Sequence, residues 1–417
     1  MKKKTVFICI IAGFCAISII AGSIFGIKKY KLAKEIEAGK VNIGFYDVSQ
    51  SQQEVFTRII QEICAPKDFT LNFYTIKRED DFSKEISDKK IILVFAPAGY
   101  AVQKAVDASK EDADISSDAT NGMFTSIRQT AIQKGDKLKA IPLIFDNLEI
   151  DIDISAFKMS GLERIASWND IEKFAEIQKK ETNSPISFAG AEPDFLIDLL
   201  GALGEAFDGY DEYLKATEIL KDAVEAKKNG GDFDAAAVAN KIFIDPDAPL
   251  PYSMYDLKQL VKKGYVTTAS NALIHSDINS YIQQRVTKAF ITNLSVHRTY
   301  DPNALVRFST IYLPSKNPAE LRHFTATTIY AIPLTNNQNV KYVIEELIST
   351  EIQSSLSQQT GLASVLANCN TPDQQADDAR YWIAATNAPL AGLSHEAELT
   401  DNELNALANE IRFLVFF

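Results

Sequence analysis

From residue 41 onward, the spacing of apolar and polar residues predicts a strand, then a helix, then a second strand. Residues 41–48 and 69–76 show strand patterns, and residues 52–65 between them have helical spacing. The apolar run 91–96 is typical of a strand buried on both faces. This order predicts a parallel sheet and an α/β fold. Pro97 and Gly99 follow the third strand, at the sheet edge where open α/β sheets bind ligands.

Residues 142–157 alternate acidic residues with isoleucine. A period of two places Glu149, Asp151 and Asp153 on one face of a strand, which predicts a half-exposed strand at a sheet edge. Asp146 follows the apolar run "AIPLIF" and is positioned to face a cleft. Further on, residues 328–334 predict a buried strand, and residues 338–361 predict one amphipathic helix that ends at Gly361.

The length and charge of the chain restrict its class. A chain of 417 residues with 46% hydrophobic composition is too long for one ordinary core, so two domains or lobes are expected. Its formal net charge of -12 opposes electrostatic attraction to polyanions. We therefore expect no nucleic-acid partner.

The first segment predicts a membrane association. Residues 6–27 carry no charge and follow Lys2, Lys3 and Lys4, and about twenty apolar residues span a bilayer as a helix. An uncleaved single-span anchor is the first interpretation, with a cleaved signal and a lipoprotein modified at Cys15 as alternatives. Residues 28–40 predict a charged stalk. Lysines on both sides of the apolar run leave its orientation open.

Catalytic and metal-binding motifs are not found in the sequence. It has no GxxxxGK phosphate loop, GxSxG elbow, HExxH or CxxC motif, and its four histidines are scattered. We expect those histidines to be solvent-exposed or capping, and we expect no metal and no cofactor. Residues 107–118 resemble a calcium loop only faintly. Cys64 and Cys369 are expected to be separate buried thiols, with pairing in an oxidising compartment as the alternative.

Two segments carry a resemblance to a known family. Residues 137–176 contain a proline-led strand, a Gly-Leu turn and a helix entered through Ser167 and Trp168, and residues 330–365 contain a strand and a helix with Glu351, Gln353 and Gly361. In order and spacing they resemble the extracellular solute-binding proteins of ABC transporters, of the maltodextrin-binding type (family 1).

This resemblance implies a two-lobe periplasmic-binding-protein-like α/β fold with hinge strands, preceded by the N-terminal transmembrane helix. Lobe 1 would comprise residues 41–145 and 328–369, and lobe 2 would comprise residues 146–327 and 370–417. The lobes would close by hinge motion on a ligand held between them.

The resemblance also implies ligand-binding residues. Asp146 matches an acidic cleft residue, the sequence "EPDF" matches a Glu-Pro-Tyr element, and Trp382 matches a sugar-stacking tryptophan. Weaker candidates follow the first and third strands. The complete set is Trp382, Asp146, Glu192, Asp194, Phe195, Tyr100, Phe95, Tyr46 and Asp47. For each of them, ordinary core or surface placement is the alternative.

Two departures from the family pattern widen the choice of ligand. The usual Tyr-Asn at the end of the crossing strand is Ile152-Asp153, and Val296 stands at the second aromatic stacking position. A peptide, a polyol or another small solute is therefore as compatible with the sequence as a sugar.

The expected function is that of a non-enzymatic, monomeric substrate-binding protein, anchored in the cell membrane by one span with its soluble part facing the periplasm or exterior. It would deliver a small solute to an ABC permease. A ligand-binding sensor and a tethered interaction or structural protein with a degenerate cleft are alternatives. A third is an envelope enzyme that uses Asp146 and Glu192 as paired acids.

Overall fold

The computed structural model describes residues 39–67, 69–317, 321–369, 371 and 373–417. The predicted anchor at residues 1–27 and nearly all of the predicted stalk lie outside these residues. Within the described ranges, no helix combines the length and the apolar character that crossing a bilayer requires.

Ten strands form the sheet structure of the described chain. In chain order they are β1 (Lys40–Tyr46), β2 (Thr70–Ile76), β3 (Leu93–Pro97), β4 (Ile132–Lys134), β5 (Lys137–Asp153), β6 (Ser184–Phe188), β7 (Thr287–Asn293), β8 (Phe308–Tyr312), β9 (Ala326–Pro333) and β10 (Ala363–Ser364).

Helices surround these strands and cover both lobes. They are α1 (Gln50–Cys64), α2 (Phe82–Lys89), α3 (Tyr100–Ala108), α4 (Thr125–Arg128), α5 (Ile154–Ser160), α6 (Trp168–Gln178), α7 (Pro193–Phe207), α8 (Tyr210–Lys228), α9 (Ala235–Phe243), α10 (Pro251–Lys262), α11 (His275–Gln283), α12 (Leu294–His297), α13 (Pro302–Leu305), α14 (Gln338–Leu347), α15 (Thr350–Thr360), α16 (Gln374–Ala384) and α17 (Asp401–Phe416).

The first lobe is built on the strand order β2-β1-β3-β9-β5. The pairs β1–β2 and β1–β3 are parallel, as the strand, helix, strand order predicts, whereas β9 runs antiparallel to both β3 and β5. Every residue of β3 is buried, which confirms that this strand is covered on both faces. One face packs against α1 through Phe45, Phe56 and Phe95.

The second lobe is built on β5, β6, β7 and β8. β6 and β7 are parallel, and β5 lies between β7 and β8 with antiparallel pairing on both sides. Its core contains the fully buried Trp168, whose ring packs edge-on against Phe207 at 5.1 Å between ring centroids. α6 begins at Trp168 as predicted, and Asp170 accepts a hydrogen bond from the Ser167 backbone N–H at 3.1 Å.

β5 passes from one lobe into the other within a single strand of 17 residues. Its residues 141–147 pair with β9 in the first lobe, and its residues 148–153 pair with β7 and β8 in the second. The second half is therefore an inner strand, and the prediction of a half-exposed edge strand is wrong. Glu149 and Asp151 are completely buried.

The chain passes back from the first lobe to the second later than residue 370, where the second lobe was expected to resume. α16 packs Ala376, Ala379 and Ile383 into the core of the first lobe, whereas Leu393 belongs to the core of the second. Between them, Leu390 joins the segment that leads into β9, because its N–H donates to the carbonyl of Phe324 at 2.8 Å. The C-terminal part of the second lobe therefore starts near residue 390.

The predicted helix at residues 338–361 is two helices, α14 and α15. The break falls at Ser349, whose hydroxyl caps α15 by accepting from the N–H of Ile352. The predicted stop at Gly361 is confirmed, since this residue ends α15 with a φ of 72°, in the left-handed region that favours glycine. Cys64 and Cys369 are buried free thiols, as expected.

Candidate functional site

A cavity of about 1090 Å³ lies between the lobes. From the first lobe, its lining includes the residues that follow β1 and β2 and the last residue of β3, which is the carboxyl edge of the parallel strands. From the second lobe, its lining includes the start of α7 and the segment around α12. The site is therefore assembled from both lobes.

Five of the nine predicted site residues line this cavity: Asp47, Asp146, Glu192, Asp194 and Phe195. The last three lie together because Glu192 precedes the first residue of α7, where Pro193 starts the helix. Whether these side chains contact a ligand stays a prediction.

The other four predicted residues do not line the cavity. Tyr46 is completely buried against Phe82, with 4.5 Å between ring centroids, and Phe95 is completely buried in the core beside α1. The Tyr100 hydroxyl lies 3.4 Å from Asp47 Oδ2, behind the cavity wall. Phe95 and Tyr46 lie on opposite faces of the sheet. Each packs into the hydrophobic core on its own face, beneath the helices that cover it.

Trp382 lies away from the cavity because α16 packs on the first lobe. Its ring is partly buried against that core and meets the ring of Tyr312 at 6.0 Å. Within the described chain, Phe195 is the single Phe, Tyr or Trp that lines the cavity, and it is 5% exposed. The cavity therefore offers little aromatic surface for stacking on a ligand.

Acidic side chains dominate the cavity wall instead. Its carboxylates are Asp47, Glu79, Asp146, Glu192, Asp194, Asp198 and Asp401, and its Lys and Arg residues are Lys77, Arg78 and Arg298. Both arginines are ion-paired, Arg78 with Asp47 and Arg298 with Asp373. The wall thus carries a surplus of negative charge.

Asp146 fixes one side of the cavity by holding α12. It accepts hydrogen bonds from the backbone N–H of Ser295, at 3.0 Å, and from the Ser295 hydroxyl. Asp146 is 7% exposed, and its burial raises the pKa of the carboxyl above its usual value despite these hydrogen bonds. The crossing strand is therefore tied directly to the second-lobe wall.

Arg78, which the sequence did not indicate, bridges the two lobes at the cavity. Its Nε donates to Asp47 Oδ2 at 2.6 Å, and its Nη2 donates to Nδ1 of His395 at 3.1 Å. Burial by itself raises the pKa of Asp47, but the contacts with His395 and Arg78 outweigh it, so this pKa lies below its usual value. We call Asp47, Arg78 and His395 the interlobe ion cluster.

A second charged group lies behind the cavity wall, in the second lobe. Nδ1 of His297 is 2.8 Å from Glu149 Oε1 and 3.1 Å from Asp151 Oδ2. His297 is 2% exposed, so the expectation of an exposed or capping histidine is wrong for it. We call Glu149, Asp151 and His297 the buried acid–histidine cluster.

Burial and charge act in opposite directions on this cluster. Burial lowers the pKa of His297, but the hydrogen bonds and charges of Asp151 and Glu149 outweigh it and raise this pKa to about 10. Burial, followed by the charge of Asp151, raises the pKa of Glu149. One imidazolium faces two carboxyl groups, so the cluster carries one more acidic group than it has cations.

The other two histidines also have defined surroundings. The His275 ring meets Phe195 edge-on at 5.3 Å, and burial lowers the pKa of His275 to about 4. The His323 ring stacks on Tyr210 at 3.8 Å, and its Nδ1 lies 3.0 Å from the carbonyl oxygen of Ala388. A neutral His275 thus forms part of the cavity wall beside Phe195.

Comparisons of the fold identify similar solved structures. The bacterial solute receptor AcbH, described with an exclusive preference for β-D-galactopyranose, has a TM-score of 0.67 and 14% identity over 90% of this chain and 96% of its own. An open conformation of the binding protein MsmE from Bacillus subtilis has a TM-score of 0.61 and 13% identity, covering 90% and 93%. A secreted solute-binding lipoprotein from Streptomyces coelicolor has a TM-score of 0.62 and 10% identity, covering 91% and 98%.

No protein-family model matches the chain, and no curated protein matches it significantly. The similarity therefore lies in the fold, at identities of 10% to 14% among the structures named above. The expected fold is confirmed: the chain has the two-lobe α/β fold of the solute-binding proteins named above.

Proposed function

We propose that this chain is a substrate-binding protein that holds a small polar solute between its lobes and delivers it to an ABC permease. The observation that carries the proposal is the interlobe cavity of about 1090 Å³, which is lined from both lobes. Small-molecule sites are typically concave and lie at domain interfaces, with volumes of about 300 to 1,000 Å³. Binding between two lobes couples the solute to hinge closure.

The lining favours a solute that carries several hydrogen-bond donors. Carboxylate oxygens accept hydrogen bonds, and seven carboxyl groups line the cavity while its two arginines are ion-paired. Hydroxyl groups and ammonium groups both meet this requirement, whereas anionic solutes are repelled. The scarcity of aromatic surface disfavours a ligand held mainly by ring stacking.

The proposed location is the cell membrane, with the soluble part facing outward. The uncharged residues 6–27, with lysines on either side, support a tether that keeps the binding lobes near a permease. In this proposal the chain acts as a monomer and without catalysis. Separating membranes from soluble protein, with and without removal of residues 1–27, tests the tether directly.

Thermal unfolding of the full chain with solute panels tests the binding role. The panels are neutral sugars and polyols, amines and polyamines, amino acids and short peptides. A solute at about one hundred times its Kd stabilises a folded protein by about 2.7 kcal/mol, which raises Tm by several degrees. We expect one hydroxyl- or amine-bearing class to raise Tm. Weakening of the effect by salt would assign it to a cation.

The variant Glu192→Gln keeps the size of a cavity side chain and removes its charge. We expect it to weaken binding of the stabilising solute by about tenfold, because a hydrogen bond to a charged group contributes about 1.5 to 3 kcal/mol. Glu181→Gln is the matched control, since Glu181 is exposed and does not line the cavity. Equal binding by both variants, or no Tm shift with any panel in a cooperatively folded chain, argues against the proposal.

The second candidate is a tethered interaction or structural protein with a degenerate cleft that no longer binds a solute. It is favoured by the interlobe ion cluster, in which Arg78 joins the lobes through protein contacts alone, and by Val296 in the cavity wall. Under this alternative, no solute panel raises Tm. Arg78→Ala then changes the distance between the lobes without creating solute binding.

A further inference from the structure

The buried acid–histidine cluster lies directly behind the wall of the interlobe cavity. Asn293, Ser295, Val296, Arg298 and Thr299 line the cavity, whereas the buried side chains of Leu294 and His297 turn inward. His297 meets Glu149 and Asp151 from the second half of β5. The seven residues 293–299 therefore separate the cluster from the cavity. An ion in the cavity has only this segment to pass before it reaches the cluster.

The two carboxylates of the cluster differ in how well they are satisfied. Asp151 accepts a hydrogen bond from the Thr310 hydroxyl at 2.6 Å and another from His297 Nδ1. Glu149 is completely buried; its Oε1 lies 2.8 Å from the same His297 Nδ1 that Asp151 contacts, and its Oε2 has no hydrogen-bond partner among the described residues. A buried carboxylate oxygen without a donor is costly, so Glu149 requires either a proton or a cation at Oε2.

The geometry of the three groups suits a cation. One ligand atom from each residue lies within 4.8 Å of the other two, and the two separations from Nδ1 are 2.8 and 3.1 Å. Nitrogen and oxygen ligands bind zinc at about 2.0 to 2.2 Å, which places two such ligands about 3 to 3.5 Å apart. A small displacement of the side chains would admit an ion between them.

We propose that Glu149, Asp151 and His297 form a binding site for one divalent transition-metal cation. An imidazole nitrogen with two carboxylate oxygens is a ligand set typical of zinc, manganese and iron, whereas magnesium and calcium favour oxygen ligands alone. The cation replaces the proton on His297 Nδ1, which leaves to solvent, and its second positive charge supplies the charge that the cluster lacks and gives Glu149 Oε2 a partner. This site stands apart from the solute and holds whether or not the cavity binds one.

A cation at this position would connect the crossing strand to the cavity wall. Glu149 and Asp151 belong to β5, and His297 ends α12, the short helix that Asp146 also holds through Ser295. Metal binding would therefore fix the position of residues 293–299. The cavity wall would be fixed because the ion has ligands on both β5 and α12, and no change elsewhere in the fold is needed.

Metal uptake by the full chain tests the proposal. The protein is purified in detergent, stripped with a chelator, and titrated separately with ZnCl₂, MnCl₂ and MgCl₂. We expect one equivalent of Zn²⁺ or Mn²⁺ to bind and to raise Tm by several degrees in excess metal, whereas Mg²⁺ has a smaller effect. No stoichiometric uptake of either transition metal would overturn the proposal.

Two isosteric variants on the same strand assign the ligands. Glu149→Gln is expected to weaken uptake at least about tenfold. Asp153→Asn is the matched control: Asp153 lies four residues further along β5, where it caps α5 by accepting from the N–H of Ala156 at 2.9 Å, and asparagine caps equally well. Uptake by Glu149→Gln as tight as that of the wild type would show that the metal binds elsewhere and would overturn the assignment.

If Glu149→Gln does not fold, NMR spectra of the wild-type chain test the metal site instead. The chain has four histidines, so histidine-selective labelling gives four sets of imidazole signals in NMR spectra. Paramagnetic Mn²⁺ at less than one equivalent should broaden the His297 signals before those of His323, which stacks on Tyr210. Broadening of His323 first, or equal broadening of all four, would contradict the site.

Discussion

The interlobe ion cluster and the buried acid–histidine cluster differ in how their charges are matched. In the first, Arg78 contacts one carboxylate closely, Asp47, and a nitrogen of His395. In the second, one histidine nitrogen contacts two carboxylates, and Glu149 Oε2 has no hydrogen-bond partner among the described residues. The matched cluster can hold two lobes together by itself, whereas the unmatched one needs a proton or an ion.

Position along the fold explains why both arrangements are tolerated. The interlobe ion cluster lies at the cavity, where the Asp47 side chain is 16% exposed and water can share its solvation. The buried acid–histidine cluster lies between inner strands, where Glu149 has no exposed surface. A carboxylate without a positive partner is costly in such a position, so Glu149 either holds a proton or has a cation beside it.

Removing the single cation of the unmatched cluster should have the largest effect. In the metal-free chain, His297→Leu leaves Glu149 and Asp151 buried together without a positive partner. We expect a loss of about 3 to 5 kcal/mol in the free energy of unfolding, measured by urea denaturation. His323→Leu is the control, since it removes a ring stack and two hydrogen bonds and should cost about 2 kcal/mol. Equal losses would contradict the account.

Breaking the matched cluster should have a somewhat smaller effect. Arg78→Met keeps much of the apolar stem and removes the cation from Asp47, and we expect a loss of about 3 kcal/mol in urea denaturation. Lys77→Met is the control, because the Lys77 side chain is 69% exposed and its pair with Glu79 spans 3.8 Å. That change should stay within about 1 kcal/mol. A larger loss in Lys77→Met than in Arg78→Met would refute the role of Arg78.

The smallest effect should appear in the pH dependence of the matched cluster. The folded-state pKa of Asp47 lies below its usual value of 3.8, so the stability it contributes is present above about pH 4 and is lost as pH falls through the folded pKa. The charged and polar groups that face Asp47 are Arg78, His395 and the Tyr100 hydroxyl. Asp47→Asn should therefore be less stable than wild type at neutral pH.

That difference should shrink as pH falls below about 4, where the wild-type carboxyl also becomes neutral. Asparagine suits this position because Asp47 has a φ of 57°, a left-handed conformation that Asn adopts readily. Urea midpoints of both proteins across the acid range measure the effect. A difference that stays constant with pH would show that the charge of Asp47 contributes no stability.

The crossing strand shows how much the sequence could predict. The proline-led run, the Ser-Trp helix start and the glycine stop are local signals, and each was found at its predicted place. Alternation in residues 149–153 correctly predicts that the three acids share a face. It does not show whether a strand has one neighbour or two, so Glu149 and Asp151 were assigned to an edge although β7 and β8 cover both sides.

The candidate site depends on contacts between residues distant in sequence. Asp146, Glu192 and Phe195 were indicated by local motifs, and these residues line the cavity. His297 meets Asp151 across 146 positions, and Arg78 meets His395 across 317, so no spacing rule could indicate them. Trp382 matches a motif locally, yet α16 packs on the first lobe and turns it away from the cavity.

Hydrogen–deuterium exchange of the full chain, with and without the solute that raises Tm, tests the central claim most directly. A solute held between the lobes should slow exchange in residues 77–79 of the first lobe and in residues 192–198 and 293–299 of the second, at the same solute concentration. Protection confined to one lobe, or to a surface away from the cavity, would contradict binding between the lobes.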